Sequence, residues 1–187
     1  NNLSLKIEPY FQALYKVPVV EGTAYSMVNF MSDWTFDKDL TNTGTGTNMG
    51  IDLTLERFLK NGLYFMTTAS LYDSKYTGAD DTKRLTRYDG GYVINLLGGK
   101  EWEINDKNML SLNLKFTFMG PYWYHPVDLQ STHLEQTVVY AEHQPFSFRN
   151  SNLESMTDLT INYRINGIKA SSIFSLQVKN ILGKQYM

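Results

Sequence analysis

Apolar and polar side chains alternate with a period of two along most of this 187-residue chain. Only extended strands send successive side chains to opposite faces, so the alternation commits the chain to β-sheet. Leu3, Leu5, Ile7 and Phe11 share one parity against Ser4, Lys6, Glu8 and Tyr10, although Pro9 weakens the middle of that segment. Ile51, Leu53 and Leu55 oppose Asp52, Thr54 and Glu56, and after an "LKNGL" turn Leu63, Phe65, Ala69 and Leu71 oppose Tyr64, Thr68 and Ser70. A fourth strand is expected near Tyr88 to Glu103, with Tyr92, Ile94 and Leu96 facing away from Asn95, Glu101 and Glu103. Beyond an "NDKN" turn, Leu110, Leu112, Leu114, Phe116 and Phe118 alternate with Ser111, Asn113, Lys115, Thr117 and Met119. Leu159, Ile161, Tyr163 and Ile165 then oppose Thr160, Asn162 and Arg164, and after "NGIK" Phe174, Leu176 and Val178 oppose Ser175, Gln177 and Lys179.

Composition narrows the function classes. Seventeen basic and nineteen acidic residues give a formal charge of -2, which excludes a cationic nucleic-acid binder or a polyacidic tail as the main theme. Aromatics make up 14% of the chain, as suits strands, interfaces or membrane girdles. The absence of cysteine removes disulfides, thiolate metal sites and thiol chemistry. No apolar run is long enough for a helical membrane span, and the opening at Asn1 fits a processed exported chain or a piece of one. Strands that cross a bilayer are not excluded, since each needs only every second residue apolar.

The connections fall into two classes. Short turns around Lys60 to Gly62, Asn105 to Asn108 and Asn166 to Ile168 alternate with long links at Gln12 to Thr47, Asp73 to Arg87 and Gly120 to Asn152. In an antiparallel meander this sets all short turns at one end and all long loops at the other, the asymmetry of an outer-membrane barrel. A soluble β-sandwich explains the strand alternation equally well. A membrane sheet must close, so the seven strands read here would belong to a larger wall.

The run "GTGTNMGIDLTLERFLKNGLYFMTTASLYDSKYTGAD", with "YVINLLGGKEWEI", "LSLNLKFTFMGPYWYHPVDL" and the closing "SLQVKNILGKQY", resembles the C-terminal barrel region of Bacteroidetes-type TonB-dependent outer-membrane receptors. The resemblance implies an all-β, antiparallel up-and-down transmembrane segment, part of a barrel of about 22 strands. Residues 1–187 would supply its C-terminal portion, with the N-terminal plug and the final strand absent. It further implies a Gram-negative outer-membrane location, the TonB complex, the plug, a surface lipoprotein and outer-membrane lipid as partners, and TonB-driven import of a glycan, peptide or metal chelate. On this placement the apolar parity faces lipid, Lys6, Glu8, Asp52, Glu56, Lys115, Arg164 and Lys179 face inward, and Trp102, Tyr122, Trp123 and Tyr124 serve as interfacial girdle residues or as ordinary aromatic packing. The alternative is a soluble β-sandwich acting as an extracellular carbohydrate- or protein-binding module.

Catalytic chemistry finds little footing. His125, His133 and His143 lack ligand spacing, so no metal site and no cofactor are expected. Glu101 with Glu103, and Asp52 with Glu56, share strand faces, but that spacing does not place two carboxylates across a substrate. No nucleophile elbow or phosphate-binding glycine loop is present, and the chain is expected not to be an enzyme. Gly90-Gly91 and Gly98-Gly99 point to a bulge, a bend or a close approach. "TNTGTGTN" at Thr41 to Asn48 reads as turn-permitting, and "DDTKR" at Asp80 to Arg84 as a solvated loop tip, with Asp80 and Asp81 too few for an EF-hand. His125, Asp128 and Arg149, in the longest link, are the candidate substrate-contacting loop residues.

Overall fold

A computed structural model describes residues 2–29, 38–141, 144–149 and 154–184. Seven strands form the path of one antiparallel sheet in the order β1 (Leu3–Val20), β2 (Leu40–Lys60), β3 (Leu63–Thr77), then β5 (Tyr92–Asn105), β6 (Asn108–Met119), β9 (Glu154–Asn166) and β10 (Ser171–Val178). The short β4 (Lys83–Leu85) pairs with β3 alone. Between β6 and β9 the chain forms β7 (Trp123–Tyr124), helix α1 (Leu129–Glu135) and β8 (Phe148–Arg149), and β7 and β8 make a separate two-stranded sheet.

The register carries the sequence alternation across the whole sheet. Ile7 lies opposite Leu53, Leu53 opposite Ala69, Ala69 opposite Ile94, Ile94 opposite Phe118, and further along the strands Leu112 lies opposite Ile161 and Ile161 opposite Leu176. Those residues make one apolar face. The interleaved parity runs from Glu8 opposite Asp52 through Asp52 opposite Ser70 to Ser111 opposite Asn162 and Asn162 opposite Ser175, and makes a polar face. Asn61 and Gly62 both have positive φ, as a two-residue hairpin turn between right-twisted strands requires. At the next hairpin the Asn105 side chain accepts from the backbone N–H of Lys107 and Asn108.

Several expectations need correction. β1 and β2 are 18 and 21 residues long, so both ends of the expected Gln12–Thr47 link, up to Val20 and from Leu40, are strand. Thr41 to Asn48 lies inside β2, where β-branched threonines suit the pleat and Gly44 and Gly46 leave room for the Val19 and Leu14 side chains. The Asp80–Arg84 tip contributes to β4, paired with Lys75–Thr77. The expected transmembrane barrel segment is overturned by the sheet itself. Among the described residues its order ends at β1 on one side and β10 on the other, and it does not close. The alternation that suggested a barrel is common to any antiparallel sheet with one polar and one apolar face.

Burial concentrates at the long-loop end. Val17, Val19, Ala24 and Tyr76 are the buried apolar residues among those described, joined by the buried polar Ser26, Thr86 and Asp89. Burial pushes the Tyr76 phenol up to about 12. The apolar face of the sheet stays largely open, with Leu5, Phe11, Leu71, Phe174 and Leu176 all more than half exposed. Total accessible surface is 13037 Å². A compact monomer of this mass would expose only about 9,200 Å².

Candidate binding face

Because polar residues from every main strand fall on one side of the sheet, they can meet only across strands. Asn48 donates to Gln12 at 2.8 Å and accepts from Ser74 at 2.6 Å, and Thr86 donates to Ser74 at 2.8 Å. Ser70 donates to Asp52, Asn95 donates to Thr68 at 3.3 Å, and Thr117 donates to Asn95 at 2.9 Å. The ladder ends in Tyr64 donating to Asn113, Asn162 to Ser111 at 3.2 Å, and Ser175 to Asn162 at 2.7 Å. Each bond fixes a side chain whose rotamer would otherwise be free, which preorganises the face for a ligand.

The last part of the ladder borders a groove of about 350 Å³. Tyr64 from β3, Glu101 from β5, Ser111 and Asn113 from β6, Asn162 and Arg164 from β9, and Ser175 from β10 line it, with Met109 and Ile173 at its apolar margin. Gly99 makes the groove's shape, since a Cβ there would meet the Tyr64 ring and hydroxyl at 2.6 Å and Asn113 Oδ1 at 2.4 Å. The tyrosine therefore crosses β5 where that strand has no side chain. Partial burial, and secondarily the charge of Glu101, hold the Tyr64 phenol above its usual pKa, so it is a neutral hydrogen-bond donor at physiological pH. None of the ion pairs among the described residues uses Glu101 or Arg164. The groove thus combines an aromatic ring, two fixed amides, three hydroxyls, one carboxylate and one guanidinium.

The three loop residues expected to meet substrate lie apart from this groove, each with a partner of its own. The His125 ring packs against Tyr140 and Phe146 at centroid distances of 5.4 and 5.7 Å, with Nε2 3.0 Å from the Ala141 carbonyl. Asp128 is the N-cap of α1 and accepts from the backbone N–H of Gln130 and Ser131. Those bonds, led by Ser131, hold its carboxyl below the usual range. Arg149 stacks over Trp123 at 5.3 Å and donates to the Gly90 carbonyl at 3.1 Å. Trp123 in turn donates to the Asp89 carbonyl, and Tyr124 packs on Phe148, so these two aromatics serve loop packing. Asp80 forms a two-point ion pair with Arg84, at 2.9 and 2.6 Å, which occupies the carboxylate considered for calcium. His143 lies outside the described residues, and no metal-holding cluster occurs among those described.

Tyr64, Asn113, Asn162 and Ser175 carried a usable signal, since all share the polar parity, but parity alone does not say which of many polar residues converge. An antiparallel sheet with one hydrogen-bonded polar face and a groove on it, open among the described residues, defines the class of this molecule as an all-β sheet domain. No family model, no curated protein and no solved structure matches the chain. The resemblance to TonB-dependent receptors has no support in these comparisons, and the open sheet provides no closed transporter wall. The expected TonB-driven import is corrected accordingly, in favour of the binding-module alternative.

Proposed function

We propose that this chain is a binding module, acting without chemical turnover, whose polar sheet face takes a hydroxyl-rich ligand of the carbohydrate class. The observation that carries the reading is the groove between Tyr64 and Ser175, in which side chains of four strands are held by one another while Glu101 and Arg164 have no ion-pair partner among the described residues. A tyrosine ring offers an apolar surface to the C–H face of a sugar. Planar amide, carboxylate and guanidinium groups match pairs of neighbouring hydroxyls, and charged partners make the stronger hydrogen bonds. The location on rigid strands favours a ligand that meets a preformed surface.

Glycan-array screening followed by calorimetry of the hits tests this reading. Arg164→Ala and Glu101→Gln are each expected to weaken binding by about 10- to 100-fold, the usual range for a lost charge-assisted hydrogen bond. Neither should change thermal stability, because neither side chain takes part in the polar ladder. Binding of a protein ligand with no glycan hit would transfer the groove to protein recognition, and unchanged affinity in both variants would remove it from binding altogether.

A further inference from the structure

Tyr64 is not alone in lying across a neighbouring stretch of chain. On the same polar face, Tyr10 of β1 stands opposite Gly50 of β2, and Gly50 stands opposite Tyr72 of β3. A Cβ on Gly50 would meet the Tyr10 hydroxyl at 2.6 Å and its Cζ at 2.7 Å, and one on Gly90 would meet the Tyr72 hydroxyl at 2.9 Å. Side chains of a strand ordinarily stand away from the sheet. These tyrosines instead run along it, each with its tip over a position that carries no side chain. Tyr122 joins them. Burial, offset in part by a backbone hydrogen bond with Gly90, holds the Tyr72 phenol above its usual pKa, and the nearness of Tyr122, Asp89 and Tyr10 adds to the shift. Tyr10 and Tyr122 are 40% and 41% exposed, so the cluster is open to a ligand.

This second aromatic site is far from the first. Tyr64 and Tyr72 share one face of β3, and at about 3.4 Å per residue the two sites are roughly 27 Å apart. Between them the face carries Met66, Thr68 and Ser70 on β3, Thr54 on β2, and Asn95 and Leu97 on β5, all partly exposed. Asp52 and Glu56 are the charged groups on this stretch of the face, and β2, β3 and β5 place no cation there.

We propose, resting on the carbohydrate reading above, that the ligand is an uncharged, extended polysaccharide whose bound stretch is about five sugar rings, running along β3 from the groove at Tyr64 to the cluster at Tyr10 and Tyr72. A single sugar would fill the groove and leave the second aromatic site unused. A chain that spans both meets a tyrosine at either end, with hydroxyls, amides and aliphatic side chains between them for its own O–H and C–H groups. A polyanionic chain would be repelled along the track, whose charges are carboxylates.

Calorimetry with linear neutral gluco-, manno- and xylo-oligosaccharides, from disaccharide to hexasaccharide, tests the proposal. Affinity is expected to climb with length and to level off at about five units, where the chain reaches Tyr72. Tyr10→Ala and Tyr72→Ala should each weaken binding of the hexasaccharide roughly 2- to 10-fold, the worth of one aromatic contact, and leave the disaccharide unchanged. Tyr64→Ala should weaken both. Retained disaccharide binding shows that a variant is folded, and Tyr10→Phe, which keeps the ring, should bind the hexasaccharide as the wild type does. Glycan binding that does not depend on length, or a length dependence untouched by Tyr10→Ala and Tyr72→Ala, would overturn the extended chain and leave the carbohydrate reading standing. Tighter binding of a polyuronate of equal length would overturn its lack of charge. No binding of any of these oligosaccharides would also overturn the proposal, and a glycan array without hits would take the carbohydrate reading with it.

Discussion

Asp89 and Asp80 show how two carboxylates at the same end of the sheet can act on stability with opposite signs. Asp89 is 8% exposed and accepts from the Ser74 N–H at 3.1 Å. Burial raises its pKa, and the Ser74 bond offsets only part of that. A carboxyl whose folded pKa lies above its unfolded value binds its proton more tightly when folded, so stability falls as pH rises through that window, and the ionised group is a standing cost above it. Asp89→Asn keeps an oxygen for Ser74 and removes the charge. It is expected to raise the melting temperature at pH 7, with the gain vanishing in acid; a lower melting temperature at pH 7 would contradict this account. Asp80 is the reverse case. The Arg84 hydrogen bonds lower its pKa, so its contribution is present above the unfolded value and lost as pH falls through the folded one. Asp80→Asn should cost up to about 1 kcal/mol at neutral pH in chemical denaturation, given that both partners are partly exposed.

Among the elements, the hairpin between β2 and β3 has the most direct link to the groove. Gly62 has φ of +71°, and its carbonyl accepts from the Glu101 N–H at 2.7 Å, tying the turn to β5 beside a groove residue. A Cβ on Gly62 would stand 2.3 Å from the Glu101 carbonyl oxygen, which is backbone and cannot swing aside. Gly62→Ala is therefore expected to cost about 1 to 3 kcal/mol in denaturant unfolding and to weaken ligand binding as Glu101 shifts. Gly99→Val should separate the two effects differently, since it displaces the Tyr64 ring and closes the groove while leaving the turn untouched. The Asn-Gly turn was readable from sequence because its chemistry is local. The role of Gly99 was not, because Tyr64 reaches it only through the pairing of β3 with β5.

For the whole molecule, the decisive property is an apolar face left largely exposed among the described residues. Few apolar side chains are buried among the described residues, and they cluster at the long-loop end rather than beneath the sheet. Hydrophobic stabilisation scales with the area removed from water, so the isolated chain should be less stable than a compact domain of its length. The native protein is expected to enhance the fluorescence of an anilinonaphthalene sulfonate dye and to bind mild detergents, with the signal falling if Leu53, Ile94 and Phe118, which follow one another across the face, are replaced by threonine. Absence of dye binding by the wild type would mean that the face is covered in solution. The alternation, the turns and the separation of short from long connections were all legible before the structure. Closure was not, since a sheet that ends in free edges and one that closes share the same local pattern.

The sequence by itself determined which residues share a face, because the two-residue period of a strand is a property of each backbone segment alone. It also determined the tight hairpins, where positive φ at Asn61 and Gly62 follows from the residues themselves. Only the tertiary structure decided that Tyr64 would find Asn113, 49 residues away, and that Asn162 would join Ser111 to Ser175. It also decided that the loop candidates His125, Asp128 and Arg149 would be engaged in packing, capping and stacking instead of lining the groove. Such partnerships depend on the register between strands, which is set by the summed pairing of whole elements and has no signature at any single position.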